Sequence, residues 1–310
     1  MKVAVIGTGL IGQAWAIVFA RGGCDVALWD GDAAALDRAV ALIAGQLDEL
    51  QAQGLVDDAA ALRARLQPCA TLEAALAGVA YVQENLPEVL AIKRDIFARL
   101  DALAPPGAVL TSSTSSIPAS AFTEDLPGRH RCLIAHPVNP PYLVPVVELC
   151  GAPWTAADAV QAADALMVRV GQRPVIVKRE LEGFILNRLQ GALLREAFRL
   201  VEQGYVDVDG LDATIRDGLG LRWAFMGPFE TIDLNAPGGL ADYCGRYGGL
   251  YQSIAEEQTS TEPWSPQLVA ALDAERRALL PADQLVQRRL WRDKRLMQLA
   301  RHKREAAQED

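Results

Sequence analysis

The sequence lacks the features that mark several classes of protein. Its five cysteines are scattered and never form a Cys-x-x-Cys pair, which predicts a reducing cytoplasm and no thiolate metal site. Basic residues are fewer than acidic ones: the sequence has 30 lysines and arginines and 39 aspartates and glutamates, which gives a net charge of −9. That balance argues against nucleic acid or an anionic membrane as a partner. No apolar run is long enough to span a bilayer.

What the chain does have is a glycine turn between two strands. The apolar, β-prone run Lys2–Ile6 leads directly into Gly7-Thr8-Gly9-Leu10-Ile11-Gly12, and an apolar helical segment and a second β-prone run follow. The first glycine allows a tight turn, the second lets the backbone approach a pyrophosphate, and the third lets helix and strand pack closely. Since a helix N-terminus favours phosphate, this order predicts a dinucleotide-binding βαβ unit.

The second β-prone run, Asp25–Trp29, ends at Asp30. A carboxylate here can accept hydrogen bonds from the adenosine ribose hydroxyls and would repel a ribose 2′-phosphate. No arginine follows in Gly31-Asp32 to accommodate that phosphate, so NAD is favoured over NADP. The alternative is a doubly wound fold with an empty or different nucleotide site.

Strand and helix patterns alternate as far as residue 180, and beyond it the β signals fade. The predicted fold class is therefore α/β, with a doubly wound, mostly parallel sheet of Rossmann type and a second, all-helical domain. The predicted domains are 1–180, which would bind NAD, and 181–310, which would bind substrate and a second subunit. The helices predicted for the second domain are Phe184–Gln203, Asp207–Leu219, Glu230–Tyr247 and Asp283–Lys303.

Among the three histidines, His136 has the most informative setting. It follows the apolar strand residues Leu133–Ala135, and ligands of open α/β sheets bind at the carboxyl ends of strands. Twelve residues later, Glu148 interrupts another apolar strand, where a carboxylate is costly unless it is paired. We expect the two side chains to pair, so that the imidazole acts as a general base. The alternative is a core histidine satisfied by the backbone, with the glutamate at a strand edge.

Two further polar segments are candidates for the site. Ser115 lies in the hydroxyl-rich run Thr111–Ser116 at another strand end, where it could bind a substrate oxygen or simply form a turn. Asn187 lies in an apolar segment at the start of the helical part. Its amide is either a helix-packing group or a ligand in the site.

Taken together, these motifs and others resemble the 3-hydroxyacyl-CoA dehydrogenase family in content and order over nearly the whole chain. The remaining motifs are Asn85-Leu-Pro-Glu88, His136-Pro-Val-Asn-Pro-Pro141, Gly183-Phe-Ile-Leu-Asn-Arg188 and Gly227-Pro-Phe-Glu230. Within the family the chain most resembles the lambda-crystallin/L-gulonate 3-dehydrogenase branch. The passages that indicate this branch are Ala135–Tyr142, Leu219–Pro228 and Leu290–Asp293.

The resemblance implies a site, a reaction and an assembly. It implies that Ser115, His136, Glu148 and Asn187 form the catalytic group, and that Leu10, Ile11, Glu88 and Lys93 join the three glycines and Asp30 in binding NAD. It also implies a homodimer held mainly by the helical domain. The reaction would be oxidation of the 3-hydroxyl of a small hydroxy acid, with hydride passing to NAD.

The identity of the substrate depends on local charge. Family members that act on acyl-CoA typically have basic inserted helices, whereas residues 33–66 here contain Arg38, Arg63 and Arg65 against five acidic residues. Arg222 could bind a free carboxylate in bidentate fashion, or it could be a surface or dimer-contact residue. We therefore expect a free hydroxy acid. The alternatives are a short-chain L-3-hydroxyacyl-CoA dehydrogenase and a non-catalytic, NAD-binding, crystallin-like protein.

Overall fold

The computed structural model describes residues 1–306. Within it the chain forms two compact units. One consists of Met1–Arg188 together with the chain from Arg289 onward, and the other is Leu189–Arg288.

The first unit is built on one eight-stranded sheet with the strand order β3-β2-β1-β4-β5-β6-β7-β8. Neighbouring strands are parallel except β6 and β7, which are antiparallel. The strands are β1 (Lys2–Ile6), β2 (Asp25–Trp29), β3 (Leu66–Pro68), β4 (Tyr81–Glu84), β5 (Val109–Ser112), β6 (Cys132–Pro137), β7 (Val146–Gly151) and β8 (Arg173–Val177).

Helices of the first unit connect these strands. They are α1 (Leu10–Arg21), α2 (Ala33–Ala52), α3 (Ala59–Arg63), α4 (Leu72–Leu76), α5 (Leu90–Leu103), α6 (Ser120–Thr123) and α7 (Ala157–Arg169). Successive side chains of a strand point to opposite faces, so Val3 and Val5 of β1 belong to one buried apolar cluster while Ala4 and Ile6 belong to another. An apolar core therefore lies on each face of the sheet, and the predicted doubly wound α/β class is confirmed.

The second unit is helical. Helix α8 (Leu186–Glu202) begins in the first unit, and the chain enters the second within it. The helices that follow are α9 (Val208–Ala213), a π-helical turn (Thr214–Leu219), α10 (Gly220–Trp223), α11 (Pro228–Asp233), α12 (Gly239–Glu257) and α13 (Pro266–Leu279). No helix within residues 1–306 is both long and apolar enough to cross a membrane.

One predicted helix needs correction, and several elements were not predicted. The single helix predicted over Glu230–Tyr247 is wrong, because α11 ends at Asp233 and α12 starts at Gly239. The intervening segment contains Pro237, which cannot donate to a helical ladder, and Gly239 takes a φ of +73°. The short elements β3, α4 and α6 and the longer helix α13 were not predicted.

The last helix is α14 (Leu285–Ala306). From Arg289 it belongs to the first unit rather than to the helical one. Met297 is buried in the same apolar cluster as the helices over one sheet face, and Arg304 donates to the carbonyl of Gly54. Burial of this apolar side chain accounts for the attachment. The boundary between residues 180 and 181 stays a prediction.

Candidate active site

The antiparallel pairing of β6 and β7 brings His136 and Glu148 together. The two residues are directly opposite in the strand register, a position in which side chains on one face of a sheet touch. The distance from His136 Nδ1 to Glu148 Oε2 is 2.8 Å. Both residues are buried, with exposures of 3% and 2%. His136 lies within β6 rather than after it, so the strand itself orients the imidazole.

The other carboxylate oxygen of Glu148 is held by backbone. Its Oε1 accepts hydrogen bonds from the amides of Ile185 (2.8 Å) and Leu186 (3.0 Å) at the start of α8. Burial by itself would raise the pKa of Glu148, but the hydrogen bonds from His136 and from these two amides outweigh it, so the pKa is lowered. The carboxyl group is therefore ionised at neutral pH.

The ionised carboxylate selects one imidazole tautomer. A carboxylate can only accept a hydrogen bond, so neutral His136 carries its proton on Nδ1 and donates it to Glu148. Nε2 is then an acceptor, and no described residue occupies it. A histidine held in this way can take a proton at Nε2 and keep the resulting charge next to a carboxylate.

Ser115 and Asn187 form a second contact. Asn187 Nδ2 donates to the Ser115 carbonyl oxygen at 3.0 Å, whereas the Ser115 hydroxyl has no hydrogen-bond partner among residues 1–306. The four residues therefore occur as two contacting pairs, His136 with Glu148 and Ser115 with Asn187. The catalytic roles of all four stay predictions.

Glu88 supports the loop that carries Ser115. Its Oε1 accepts from the amides of Ser115 (3.2 Å), Ser116 (2.9 Å) and Ile117 (3.3 Å), and also from the Thr114 hydroxyl. Burial would raise the pKa of Glu88, but the hydrogen bonds from Thr114 and Ser116 lower it overall. Its predicted contact with NAD remains a prediction, and the structure shows a clear role in ordering the loop.

Lys93 also has its partners within the chain. Its Nζ lies 2.9 and 3.0 Å from the carboxylate oxygens of Glu84 and 2.8 Å from the Leu86 carbonyl. The pair of Lys93 and Glu84 is fully buried. These contacts use all three ammonium protons, so binding of NAD by Lys93 would require a rearrangement, and that role too remains a prediction.

The glycine turn fits a dinucleotide. Helix α1 begins at Leu10, and its N-cap, Gly9, provides no side-chain cap, so the first amides of the helix are available to a pyrophosphate. A Cβ on Gly9 would meet nothing within 4 Å, which leaves room for phosphate beside the backbone. Gly7 takes a φ of +87°, and a Cβ on Gly12 would overlap the Gly7 carbonyl oxygen. Leu10 and Ile11 form the first helical turn.

Asp30 lies at the end of β2 and orders the same turn. Its Oδ2 accepts from the Thr8 amide (2.7 Å) and the Thr8 hydroxyl (2.9 Å), and its Oδ1 accepts from the Asp32 amide (3.0 Å). Each carboxylate oxygen has more than one acceptor position. Oδ2 already has two donors whereas Oδ1 has one, so Oδ1 keeps a position for a ribose hydroxyl. The contact of Asp30 with NAD stays a prediction.

Two alanine substitutions separate cofactor binding from folding. We expect Gly9→Ala to leave the melting temperature nearly unchanged and to weaken NAD binding about tenfold, because its methyl group enters the open space beside the turn. Gly12→Ala should lower the melting temperature as well, since its methyl group meets backbone. Thermal unfolding and NAD titration by tryptophan fluorescence measure both effects. Wild-type NAD affinity in Gly9→Ala would contradict this assignment of the phosphate site.

A hydrogen-bond network that joins α1, β4 and the end of β5 was not predicted. Ser113 Oγ accepts from Trp15 Nε1 (3.0 Å) and from Gln83 Nε2 (2.7 Å), and it donates to Asn85 Oδ1 (2.7 Å). Asn85 in turn donates to the Ile6 carbonyl at 3.3 Å, so the network joins β5 to the end of β1. The signal in the sequence was the polar run Gln83-Glu84-Asn85 directly after an apolar strand segment.

The helical unit contains the remaining predicted residue, Arg222. It lies in α10 with an exposed side chain, and it forms no ion pair with any carboxylate among residues 1–306. Its role as a carboxylate ligand stays a prediction. Within the same residues no cluster of His, Cys, Asp and Glu could hold a metal ion.

Comparison with known proteins gives matches over almost the whole chain. Residues 2–180 match the NAD-binding domain of 3-hydroxyacyl-CoA dehydrogenase, and residues 183–279 match its C-terminal domain. Lambda-crystallin of Oryctolagus cuniculus is 40% identical over 308 residues, which cover 98% of this chain and 96% of the crystallin.

An enzyme and a solved structure are also similar. L-carnitine dehydrogenase of Streptomyces griseus is 41% identical over 276 residues, covering 87% of this chain and 79% of the enzyme. A crystal structure of 5-formyl-3-hydroxy-2-methylpyridine 4-carboxylic acid 5-dehydrogenase, an NAD+-dependent dismutase, has a TM-score of 0.83 and 27% identity, and covers 98% of this chain and 97% of that one.

These matches confirm the resemblance to both the family and lambda-crystallin, and they confirm NAD as the cofactor. The glycine turn, Asp30 and the uncapped helix α1 are the residues of this chain that fit the cofactor. The chain belongs to the 3-hydroxyacyl-CoA dehydrogenase family.

Proposed function

We propose that this protein is a cytoplasmic, NAD-dependent dehydrogenase that oxidises the 3-hydroxyl of a small free hydroxy acid, with L-gulonate as the leading candidate. The observation that carries the proposal is the buried pair of His136 and Glu148, in which Nδ1 donates to an ionised carboxylate and Nε2 is left as an acceptor. This is the arrangement that a histidine acting as a general base requires.

In the proposed reaction the side chains move one proton and hold one oxygen. His136 Nε2 accepts the proton of the substrate hydroxyl as the C3 hydride departs, and Glu148 stabilises the imidazolium that forms. The Ser115 hydroxyl and the Asn187 amide bind the substrate oxygen while it changes from hydroxyl to carbonyl. Bound NAD supplies the hydride acceptor.

The charges of residues 33–66 support a free acid over a coenzyme A thioester. All three arginines in this segment are already paired with carboxylates: Arg38 with Asp32 (3.5 Å), Arg63 with Asp48 (2.6 Å) and Arg65 with Asp25 (3.1 Å). The segment therefore offers no unpaired guanidinium to the phosphates of coenzyme A.

A substrate panel read by NADH absorbance tests the proposal. The panel contains L-gulonate, L-carnitine, L-3-hydroxybutyrate and L-3-hydroxybutyryl-CoA. We expect turnover of at least one free acid, with kcat/KM well above that for the thioester. A preference for the thioester would establish the acyl-CoA alternative. No turnover of any compound, with NAD bound, would favour a non-catalytic crystallin-like role.

Arg222 provides a prediction about the substrate carboxylate. If its guanidinium binds that group, Arg222→Met should raise the KM for the free acid about tenfold to hundredfold, the loss expected for a charge-assisted hydrogen bond. Arg222→Lys should retain part of the affinity, because the charge stays and the bidentate geometry is lost. The KM for NAD serves as the internal control. Equal KM values for the acid in wild type and Arg222→Met would assign the arginine to the surface instead.

We also propose that the protein is a homodimer through the helical unit. Between residues 189 and 288, all of which the structure describes, the buried apolar side chains are Ala197, Val208 and Ala236. Large side chains such as Phe229 (74% exposed) and Phe225 (71%) are open to solvent, an exposure typical of an interaction surface.

Light scattering tests the assembly. We expect a mass twice that of one chain, and Phe229→Asp should shift the equilibrium toward the monomer, because a charge at an apolar interface is costly to bury. A monomeric wild-type protein at high micromolar concentration would refute the homodimer.

A further inference from the structure

The turn before α8 has an unusual backbone. Gly183 has a φ of +76°, and Phe184, the next residue, has a φ of +49°. Phe184 is the only non-glycine residue with positive φ among residues 1–306. A side chain with a Cβ is disfavoured in this region, and such a conformation persists only where its surroundings enforce it.

The turn has a direct effect on Glu148. It aims the next two amides, those of Ile185 and Leu186, at a single oxygen of that carboxylate, at 2.8 and 3.0 Å. Successive amides in a turn of this kind form a concave site for an anion, and the positive end of α8 adds to it.

The ring of Phe184 contributes in a second way. It is completely buried, belongs to the apolar cluster that includes Ile134 and Cys150, and has its centroid 5.4 Å from that of the His136 imidazole at an interplanar angle of 35°. Packing of the ring thus holds the disfavoured backbone in place, and it also covers the imidazole on one side.

We propose that Phe184 is a positioning residue for the pair of His136 and Glu148. Its ring fixes the imidazole and keeps water from the Nδ1 hydrogen bond, while its backbone, together with Gly183, presents two amides to the carboxylate. The inference deepens the proposed function, on which its kinetic consequence rests, but the geometric claim can be measured without any substrate.

The first test uses Phe184→Leu, which keeps an apolar side chain and removes the ring. The readout is the NMR signal of the His136 Nδ1 proton, identified by its loss in His136→Ala, and its rate of exchange with water. We expect exchange about tenfold faster or more in Phe184→Leu, and kcat lower by about tenfold to hundredfold, with the KM for NAD unchanged. Wild-type exchange and kcat in this variant would overturn the proposal.

A second variant keeps the test decisive if Phe184→Leu folds poorly. A Cβ on Gly183 would lie 3.6 Å from Asn187 Cβ, an ordinary contact, so Gly183→Ala strains only the backbone. Gly171→Ala is its matched control, since Gly171 has a φ of +81° with nothing within 4 Å of the added Cβ. We expect similar melting temperatures for the two variants, and faster Nδ1 exchange only in Gly183→Ala. Equal exchange in both would overturn the role of the turn.

The exchange measurement can succeed or fail independently of the proposed dehydrogenase function. If no hydroxy acid is oxidised and the Nδ1 proton still exchanges faster in the Phe184 and Gly183 variants, the positioning role holds and the dehydrogenase assignment fails. A wild-type Nδ1 proton that exchanges too fast to be detected would show that the pair is not shielded, which overturns the positioning role itself.

Discussion

His136→Ala should reduce the kcat for oxidation of the hydroxy acid by about a thousandfold while NAD binding stays within about twofold of wild type. General base catalysis by a positioned side chain contributes roughly 10²- to 10⁴-fold. The removed imidazole is the group whose Nε2 has no hydrogen-bond partner within residues 1–306. Its loss should not disturb the glycine turn, where we predict that NAD binds. Steady-state NADH formation and NAD titration measure the two quantities.

His130→Ala is the matched control for this experiment. His130 is exposed and lies in the 3-10 turn Arg129–Arg131 between α6 and β6, so its replacement should leave kcat at the wild-type value. Wild-type turnover by His136→Ala would show that another group takes the hydroxyl proton, and the role assigned to the imidazole would then be wrong.

Glu148→Gln should lower kcat by about 10³- to 10⁴-fold, an effect of the size known for replacing the carboxylate behind a catalytic histidine by an amide. The side-chain amide of the glutamine can take two orientations, and neither preserves the hydrogen bonds that the carboxylate makes. If its NH₂ group faces Nδ1, the imidazole must carry its proton on Nε2 and cannot accept another. If the NH₂ group faces Ile185 and Leu186, it meets two amide donors. Glu148→Asp, which keeps the charge, should lose less activity.

Glu148→Gln also tests how the pKa of Glu148 makes the stability of the fold depend on pH. The pKa of Glu148 in the folded protein lies below its ordinary value of 4.5, so its contribution to stability is present above that value and is lost as the pH falls through the folded-state pKa. The difference in melting temperature between wild type and Glu148→Gln should therefore be constant near neutral pH and should shrink below about pH 4.5. A difference that grows in acid would contradict the lowered pKa.

Much of the sheet could be predicted from the sequence, and the reason is local. The strands Lys2–Ile6 and Asp25–Trp29 have the predicted bounds, because each is a short apolar run that is ended by a glycine turn or an acid. The edge strand Leu66–Pro68 has two exposed residues, so it carries little hydrophobic signal. The break between α11 and α12 contained a readable Pro-Gly-Gly signal, and the helical periodicity on either side concealed it.

Some contacts of the candidate site could also be predicted from the sequence, and others could not. The cost of an unpaired buried carboxylate pointed to contact between His136 and Glu148, although the antiparallel direction of β7 that places them opposite each other could not be read from the sequence. Phe184 had no signal at all, since a left-handed phenylalanine is a product of tertiary packing rather than of local preference. The contacts of Glu88 likewise depend on β4 and β5 being neighbours, whereas Lys93 contacts Glu84 and Leu86, which directly precede its own helix.

A crystal structure of the protein with NADH and a bound hydroxy acid provides the most direct measurement. The predicted result is a substrate hydroxyl oxygen within about 3 Å of His136 Nε2, with Nδ1 still bonded to Glu148 and the C3 hydrogen facing the nicotinamide C4. A hydroxyl oxygen bound away from the imidazole, with His136 turned from the substrate, would contradict the proposed chemistry and leave only a protein that binds the dinucleotide.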